Sequence, residues 1–171
     1  MVTIQGIGDN REDWDTWFMR IARSVATRST CPRRYVGTIL VQDRSIKGTG
    51  YNGAPSGVGS CLDRGCLMRD GHCVRTVHAE ANLMLQTDAA DRQDATVYAT
   101  DMPCWNCMNL LVNSGVRRIY YERDYPRHRR RNEQLCAEKG VALQQLVLPD
   151  PLPEIDDISA ELPVEDFNEL R

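Results

Sequence analysis

No stretch of this sequence is long and apolar enough to cross a bilayer. The longest candidate, Val141-Ala-Leu-Gln-Gln-Leu-Val-Leu148, is interrupted by Gln144 and Gln145 and falls well short of the roughly 20 residues a spanning helix needs. The opening residues, Met1 to Asn10, have neither the basic nor the apolar segment of an export signal. Lysine is nearly absent. Lys47 and Lys139 are the only two, so arginine carries the positive charge, and its planar fork grips phosphate and carboxylate better than an ammonium does. From Asp150 to Leu170 no basic residue occurs at all, against eight acidic ones. Without those eight acids and Arg171, 20 basic residues face 16 acidic ones, so a body of about +4 carries an acidic tail although the whole chain is at −3. These shortages speak against a membrane-spanning or Sec-exported protein, and a cytoplasmic one is expected.

What is present is a globular composition. Of 171 residues, 42% are hydrophobic and 26% charged, which suits one domain with a modest extension. Seven cysteines in a chain without an export signal point to metal or thiol chemistry, not to a disulfide framework. Six of them lie between residues 31 and 107. Cys136 stands apart and is expected as a buried apolar side chain on a helix.

Apolar spacing predicts a helix over 13–29, in which Trp14, Trp17, Phe18, Ile21, Ala22 and Val25 share one face. Strands over 35–42 and 46–51 flank Asp43-Arg44 as a hairpin. A glycine-rich loop and a Cys-rich insert over 57–76 follow, too long to be left untethered in a compact domain. Helices are then expected over 77–86, 104–113 and 131–139, with strands over 95–99, 116–121 and 141–147. This alternation predicts an α/β fold, a mixed sheet with helices on both faces, within a domain over 1–148. The acidic, proline-containing tail over 149–171 lacks a core of its own and is expected to dock, if at all, through Ile155, Ile158, Leu162 and Phe167.

Two short motifs carry the chemistry: His78-Ala79-Glu80 and Pro103-Cys104-Trp105-Asn106-Cys107. Cys104 and Cys107, three apart at a helix start, present both thiols on one face, where the helix N-terminus favours the thiolates that bind metal. His78 adds a neutral nitrogen. Two Cys and one His make a three-ligand zinc site with a fourth position open, the arrangement of a catalytic centre. Glu80, two residues past His78, is placed to move protons without being a ligand. A lone C-x-x-C would read as a redox pair, and a lone His-x-Glu would mean little. Together they are the signature of zinc-dependent nucleobase deaminases.

The stretch from about Ser29 to Leu146 resembles the deoxycytidylate (dCMP) deaminase family, microbial and phage type, within the cytidine deaminase-like superfamily. The two motifs alone are shared with tRNA adenosine deaminases, guanine deaminases and the riboflavin-pathway deaminase. Val36-Gly37, Gly50-Tyr51-Asn52-Gly53 and the insert running from Cys61 through Cys66, His72 and Cys73 to Thr76 narrow the match. The resemblance implies a three-layer α/β/α fold around about five strands. It implies hydrolytic deamination of dCMP to dUMP, with Glu80 shuttling protons beside a zinc-activated water. It also implies that the Ala79 N–H holds the base carbonyl and Asn52 the deoxyribose hydroxyl, with Arg33 a candidate for the 5′-phosphate and Tyr125 for covering the substrate. Many relatives are hexamers activated by dCTP with Mg²⁺ and inhibited by dTTP near the loop of Gly50, Tyr51, Asn52 and Gly53. The same regulation is expected here, in a microbe or a virus-infected host cell. Thr38, Ala81 and the acidic tail depart from the family pattern and bear on subunit contacts more than on chemistry.

Cys31, Cys61, Cys66, His72 and Cys73 offer five soft ligands where a structural zinc needs four. A second zinc on Cys31, Cys61, Cys66 and Cys73, with His72 as substitute, would pin the insert, and related phage enzymes carry an additional zinc in this region. Reduced core thiols or a disulfide are the alternatives. Three rival functions remain: a deaminase that also accepts dCTP, a nucleic-acid deaminase and a zinc-stabilised scaffold without catalysis. The run Arg127-His128-Arg129-Arg130-Arg131 would serve the second. The acidic tail and the insert argue against nucleic acid, and Glu80 argues against the scaffold.

Overall fold

The computed structural model describes residues 11–150 and 163–170. In chain order its elements are α1 (Trp14–Ala26), β1 (Gly37–Gln42), β2 (Ser45–Tyr51), α2 (Cys61–Arg64), β3 (Cys66–Arg69), β4 (His72–Cys73), α3 (Ala79–Leu85), α4 (Ala89–Arg92), β5 (Thr96–Asp101), α5 (Trp105–Asn113), β6 (Arg118–Arg123), α6 (Pro126–Lys139), β7 (Ala142–Gln145) and β8 (Val164–Asp166), followed by a 3-10 turn at Phe167–Leu170.

The central sheet has the order β2-β1-β5-β6-β7. β1 is antiparallel to β2 and to β5, while β5, β6 and β7 run parallel, so the sheet is mixed. Asp43 and Arg44, both with positive φ (51° and 59°), make the two-residue turn whose twist suits the β1–β2 hairpin. The two-residue period of the strands sorts the core into two halves. Ile39, Val41, Tyr98 and Tyr120 meet Phe18, Met19 and Ala22 of α1 on one face. Leu40, Val97 and Ile119 meet Leu83 of α3, Met108 and Leu111 of α5 and Cys136 of α6 on the other. Three layers result.

Local differences from the sequence expectation have physical causes. The first helix stops at Ala26, and Thr27 to Ser29 continue it only as tighter i→i+3 turns. α6 starts at Pro126, because proline suits a first helical position; the arginine run is therefore the first turns of the helix. β7 is shorter than 141–147, and the turn of helix at α4 was not expected. The insert over 57–76 is a folded unit in which β3 and β4 pair as a small hairpin.

The tail departs most from expectation. Its β8 pairs in parallel with β3, Cys66 opposite Val164 and Met68 opposite Asp166, giving a second sheet of order β4-β3-β8. Composition does not reveal such a strand, whose partner lies about a hundred residues upstream at an open edge. Phe167 docks against the Arg69 guanidinium at 5.1 Å. Ile155, Ile158 and Leu162 lie outside the described residues. No described helix is long and apolar enough to cross a membrane.

α3 lies directly on β2 at Gly50. A Cβ there would stand 2.2 Å from the Ala79 carbonyl oxygen and 2.6 Å from the Leu83 nitrogen, both helix backbone. Gly50→Ala is expected to push α3 away and to cost about 1–3 kcal/mol, in the range of overpacked cores. A urea melt reads this cost, and zinc titration should show weaker binding because His78 caps the same helix.

Candidate active site

His78 and Cys104 occupy the N-cap positions of α3 and α5, and Cys107 lies one turn into α5. Packing of α3 against α5 brings the two helix starts together. The His78 Nδ1 lies 3.5 Å from both the Cys104 and the Cys107 sulfur. All three ligand atoms fall within 4.8 Å of one another. The thiols are unequal. The hydrogen bond from Cys107, with His78 adding to it, holds Cys104 well below the ordinary thiol value. The same contact pushes Cys107 up. A soft cation replacing the shared protons would satisfy two thiolates and an imidazole at once, so this donor set suits zinc.

Glu80 is 4% exposed, in the first turn of α3. Burial pushes its carboxyl up to about 7, and the fields of Cys104 and Asp101 add to the rise against that of His78. A carboxyl poised there exchanges protons readily near neutral pH. It borders a cavity of about 320 Å³ shared with His78, Ala79 and Cys104. That volume fits a small ligand of nucleotide size.

The cavity is also lined by Arg33, Arg34, Asp101 and Tyr125. Asp101, at the carboxyl end of β5, is 5% exposed and accepts from Arg34 Nε at 2.5 Å and from Arg123 Nη2 at 2.7 Å. Two guanidiniums against one carboxylate leave a net positive charge. The Arg34 guanidinium also sits 5.8 Å from the centre of the Tyr125 ring.

The model for the cytidine and deoxycytidylate deaminase zinc-binding region matches residues 12–123, more than half of the chain. Deoxycytidylate deaminase of Mycobacterium phage D29 is 41% identical over 129 residues, covering 67% of this chain and 98% of the phage protein. ComE operon protein 2 of Bacillus subtilis (strain 168) is 37% identical over 147 residues, covering 85% of this chain and 77% of that protein. Among solved structures, the dCMP deaminase of cyanophage S-TIM5 in complex with dCMP and dUMP superposes with a TM-score of 0.65 at 26% identity, covering 76% of this chain and 94% of that one. The chain belongs to the cytidine and deoxycytidylate deaminase family. Its five-stranded mixed sheet with flanking helices is the α/β fold of those neighbours.

Within this deaminase, the remaining expected site residues fall into three groups. Arg33 and Tyr125 line the cavity, and Ala79 lies fully buried beside Glu80. Asn52 lines it too, yet its amide is largely committed elsewhere: Oδ1 accepts from Val36 N at 2.9 Å and Nδ2 donates to the Arg34 carbonyl at 2.8 Å. The loop from Gly50 to Gly53 carries packing duties, with Gly53 bridged to Val77 just before His78. Arg34, Asp101 and Thr76 also line the cavity and were not singled out from sequence. The signal for Asp101 was its place two residues before Pro103-Cys104, just past the strand expected over 95–99.

Cys61, Cys66 and Cys73 form a second group of ligand atoms within 4.8 Å of one another. The Cys61 and Cys73 sulfurs are 3.6 Å apart. Burial pushes Cys61 up to about 12 and also raises Cys66. Burial opposes ionisation of Cys73 as well, but hydrogen bonds, that of Thr76 foremost, hold it below the ordinary thiol value. Cys31 and His72 are not in this mutual cluster. Cys31 is buried with its charge field reaching Cys66, and exposed His72 faces the cavity from β4.

A pH dependence follows from Glu80. Its carboxyl is raised from 4.5 to about 7 in the folded chain, so the unfolded state ionises first and stability falls as pH rises between those values. In metal-free protein, Glu80→Gln should therefore exceed the wild type in stability by on the order of 3 kcal/mol at pH 8. Below pH 4.5 that advantage should disappear. Denaturant melts of both proteins across this range provide the check.

Proposed function

We propose that this enzyme deaminates dCMP hydrolytically, dCMP and water giving dUMP and ammonia. The observation that carries the reading is the buried Glu80 carboxyl beside the His78, Cys104 and Cys107 ligand set, in a cavity that Arg33 and Arg34 also line. The names of the phage relative and of the structural neighbour support the choice of dCMP. His78, Cys104 and Cys107 would hold zinc, which when bound supplies the Lewis acidity that makes water a nucleophile near neutral pH. Glu80 takes a proton from that water and delivers it to N3 of the cytosine ring as the C4–O bond forms. It then takes the second proton from the new C4 hydroxyl and delivers it to the amino group as the C4–N bond breaks and the C4 carbonyl forms, so one carboxylate serves as base and acid in turn. The Ala79 N–H orients the base carbonyl, Asn52 the deoxyribose hydroxyl through the one amide hydrogen and the lone pair that Arg34 and Val36 leave over, and Arg33 with Tyr125 the phosphate end.

The same reading assigns a structural zinc to Cys61, Cys66 and Cys73, completed by Cys31 or His72. Clustering of three thiols, of which burial raises Cys61 and Cys66, supports it. By the resemblance alone, the enzyme is a cytoplasmic hexamer that dCTP with Mg²⁺ activates and dTTP inhibits. Flat activity across both nucleotides at subsaturating dCMP would refute that regulation.

The test is ammonia release with product identification, from dCMP, dCTP, deoxycytidine and CMP. Wild type should turn over dCMP, and Glu80→Gln should lose about 10²–10⁴-fold while keeping its zinc. Metal analysis of the wild type should give two zinc ions per chain and of Cys66→Ser one. One zinc in the wild type would remove the structural site. Zinc-loaded protein inactive on all four nucleotides would overturn the assignment.

A further inference from the structure

The C-terminal segment is bound to the insert by three different contacts. The first is backbone pairing: Cys66 N donates to the Pro163 carbonyl at 3.1 Å, and β8 continues beside β3. The insert is shaped for this approach. Gly65 has φ +79°, and a Cβ on it would lie 1.7 Å from the Pro163 oxygen, so only glycine permits the strand to pass there. The second is an ion pair. Arg75 is 9% exposed, and its guanidinium donates to the Gly65 carbonyl at 3.2 Å and to Glu165 Oε2 at 2.6 Å. The third is the Phe167 ring under the Arg69 guanidinium. A strand carrying Glu165 and Asp166 therefore closes the open edge of the hairpin.

That hairpin is also a wall of the catalytic cavity. β4 supplies Cys73, which lines the cavity and belongs to the clustered thiols, and Thr76 follows it. Val77 is then fixed to Gly53 by two backbone hydrogen bonds of 3.1 and 2.8 Å, one residue before His78. Between the docked strand and the metal ligand, backbone pairing at Cys73, Val74 and Val77 leaves only Arg75 and Thr76 in between, and the Arg75 side chain is tied to Gly65 and Glu165.

We propose that the C-terminal strand is a working part of the site. By completing the sheet of the insert, it holds the wall formed by Cys73 and Thr76 in the position that substrate requires, and it shields the three clustered thiols. Arg75 and Glu165 are positioning residues in this role, since neither is among the groups assigned to the chemistry. The consequence for substrate rests on the deaminase reading; the consequence for the thiols and the backbone does not.

The experiment uses full-length protein with Glu165→Arg, Phe167→Ala and the reversed pair Arg75→Glu/Glu165→Arg. In Glu165→Arg two guanidiniums face each other and the strand is released. Amide hydrogen exchange in β3 and the rate at which a thiol reagent modifies Cys61, Cys66 and Cys73 should then both rise about tenfold, as for a locally opened segment. KM for dCMP should rise by about the same factor with kcat held within about twofold, a loss of substrate binding without loss of chemistry. Phe167→Ala should move all three readouts in the same direction by less, and the reversed pair should return them towards wild type. Exchange, thiol reactivity and KM all unchanged in Glu165→Arg would overturn the proposal. Faster exchange with unchanged KM would overturn the positioning role. Were the wild type inactive on every cytosine nucleotide, the deaminase reading would fall, and exchange with thiol reactivity would still decide whether the strand clamps the insert.

Discussion

The packing of α3 directly on β2 and against α5 brings the N-caps of two helices to one point, with the His78 nitrogen 3.5 Å from the sulfurs of Cys104 and Cys107. Two helix N-termini converging would repel through their positive ends. Thiolates at that point relieve the conflict, and with the imidazole they make a donor set that would suit a soft metal ion. The close approach depends on Gly50 having no side chain. It also depends on β5, which runs through the centre of the sheet and delivers Asp101, Met102 and Pro103 to the start of α5. Asn132 of α6, fully buried, holds the Pro103 carbonyl from the other side at 2.8 Å.

Glu80 shows what this arrangement costs and what it yields. A carboxyl in the first turn of a helix would ordinarily be welcome as an anion, but here burial outweighs the helix and holds the group near neutrality. The outcome is a side chain able to accept and release a proton at the same spot. Asp101 lines the same cavity in a different environment: guanidiniums from Arg34 and Arg123 bond its oxygens, so it holds these cations in place. Two carboxyls in one cavity thus divide their work by environment.

The centre of the site was legible in the sequence because its chemistry requires certain residue types at short, fixed spacing. Cys104 and Cys107 are one helical turn apart, and Glu80 is two residues from His78, so local geometry alone predicts most of the arrangement. The sheet was legible through alternation, and Ile39, Leu40 and Val41 do fall on alternate faces. What escaped is long-range pairing. Arg34 meets Asp101 across 67 residues, Arg75 meets Glu165 across 90, and neither partner carries a mark that names the other. The acidic tail misled for the same reason: its composition describes a segment without a core, while the hydrogen-bonding edge it occupies belongs to a hairpin elsewhere.

If Glu80 and the neighbouring ligand set activate water against C4 of a cytosine nucleotide, turnover of dCMP in ¹⁸O-labelled water, followed by mass analysis of the nucleotide, should give a single ¹⁸O atom in dUMP, located on C4, for every ammonia released. Unlabelled dUMP, or no dUMP from zinc-loaded protein, would rule that activation out.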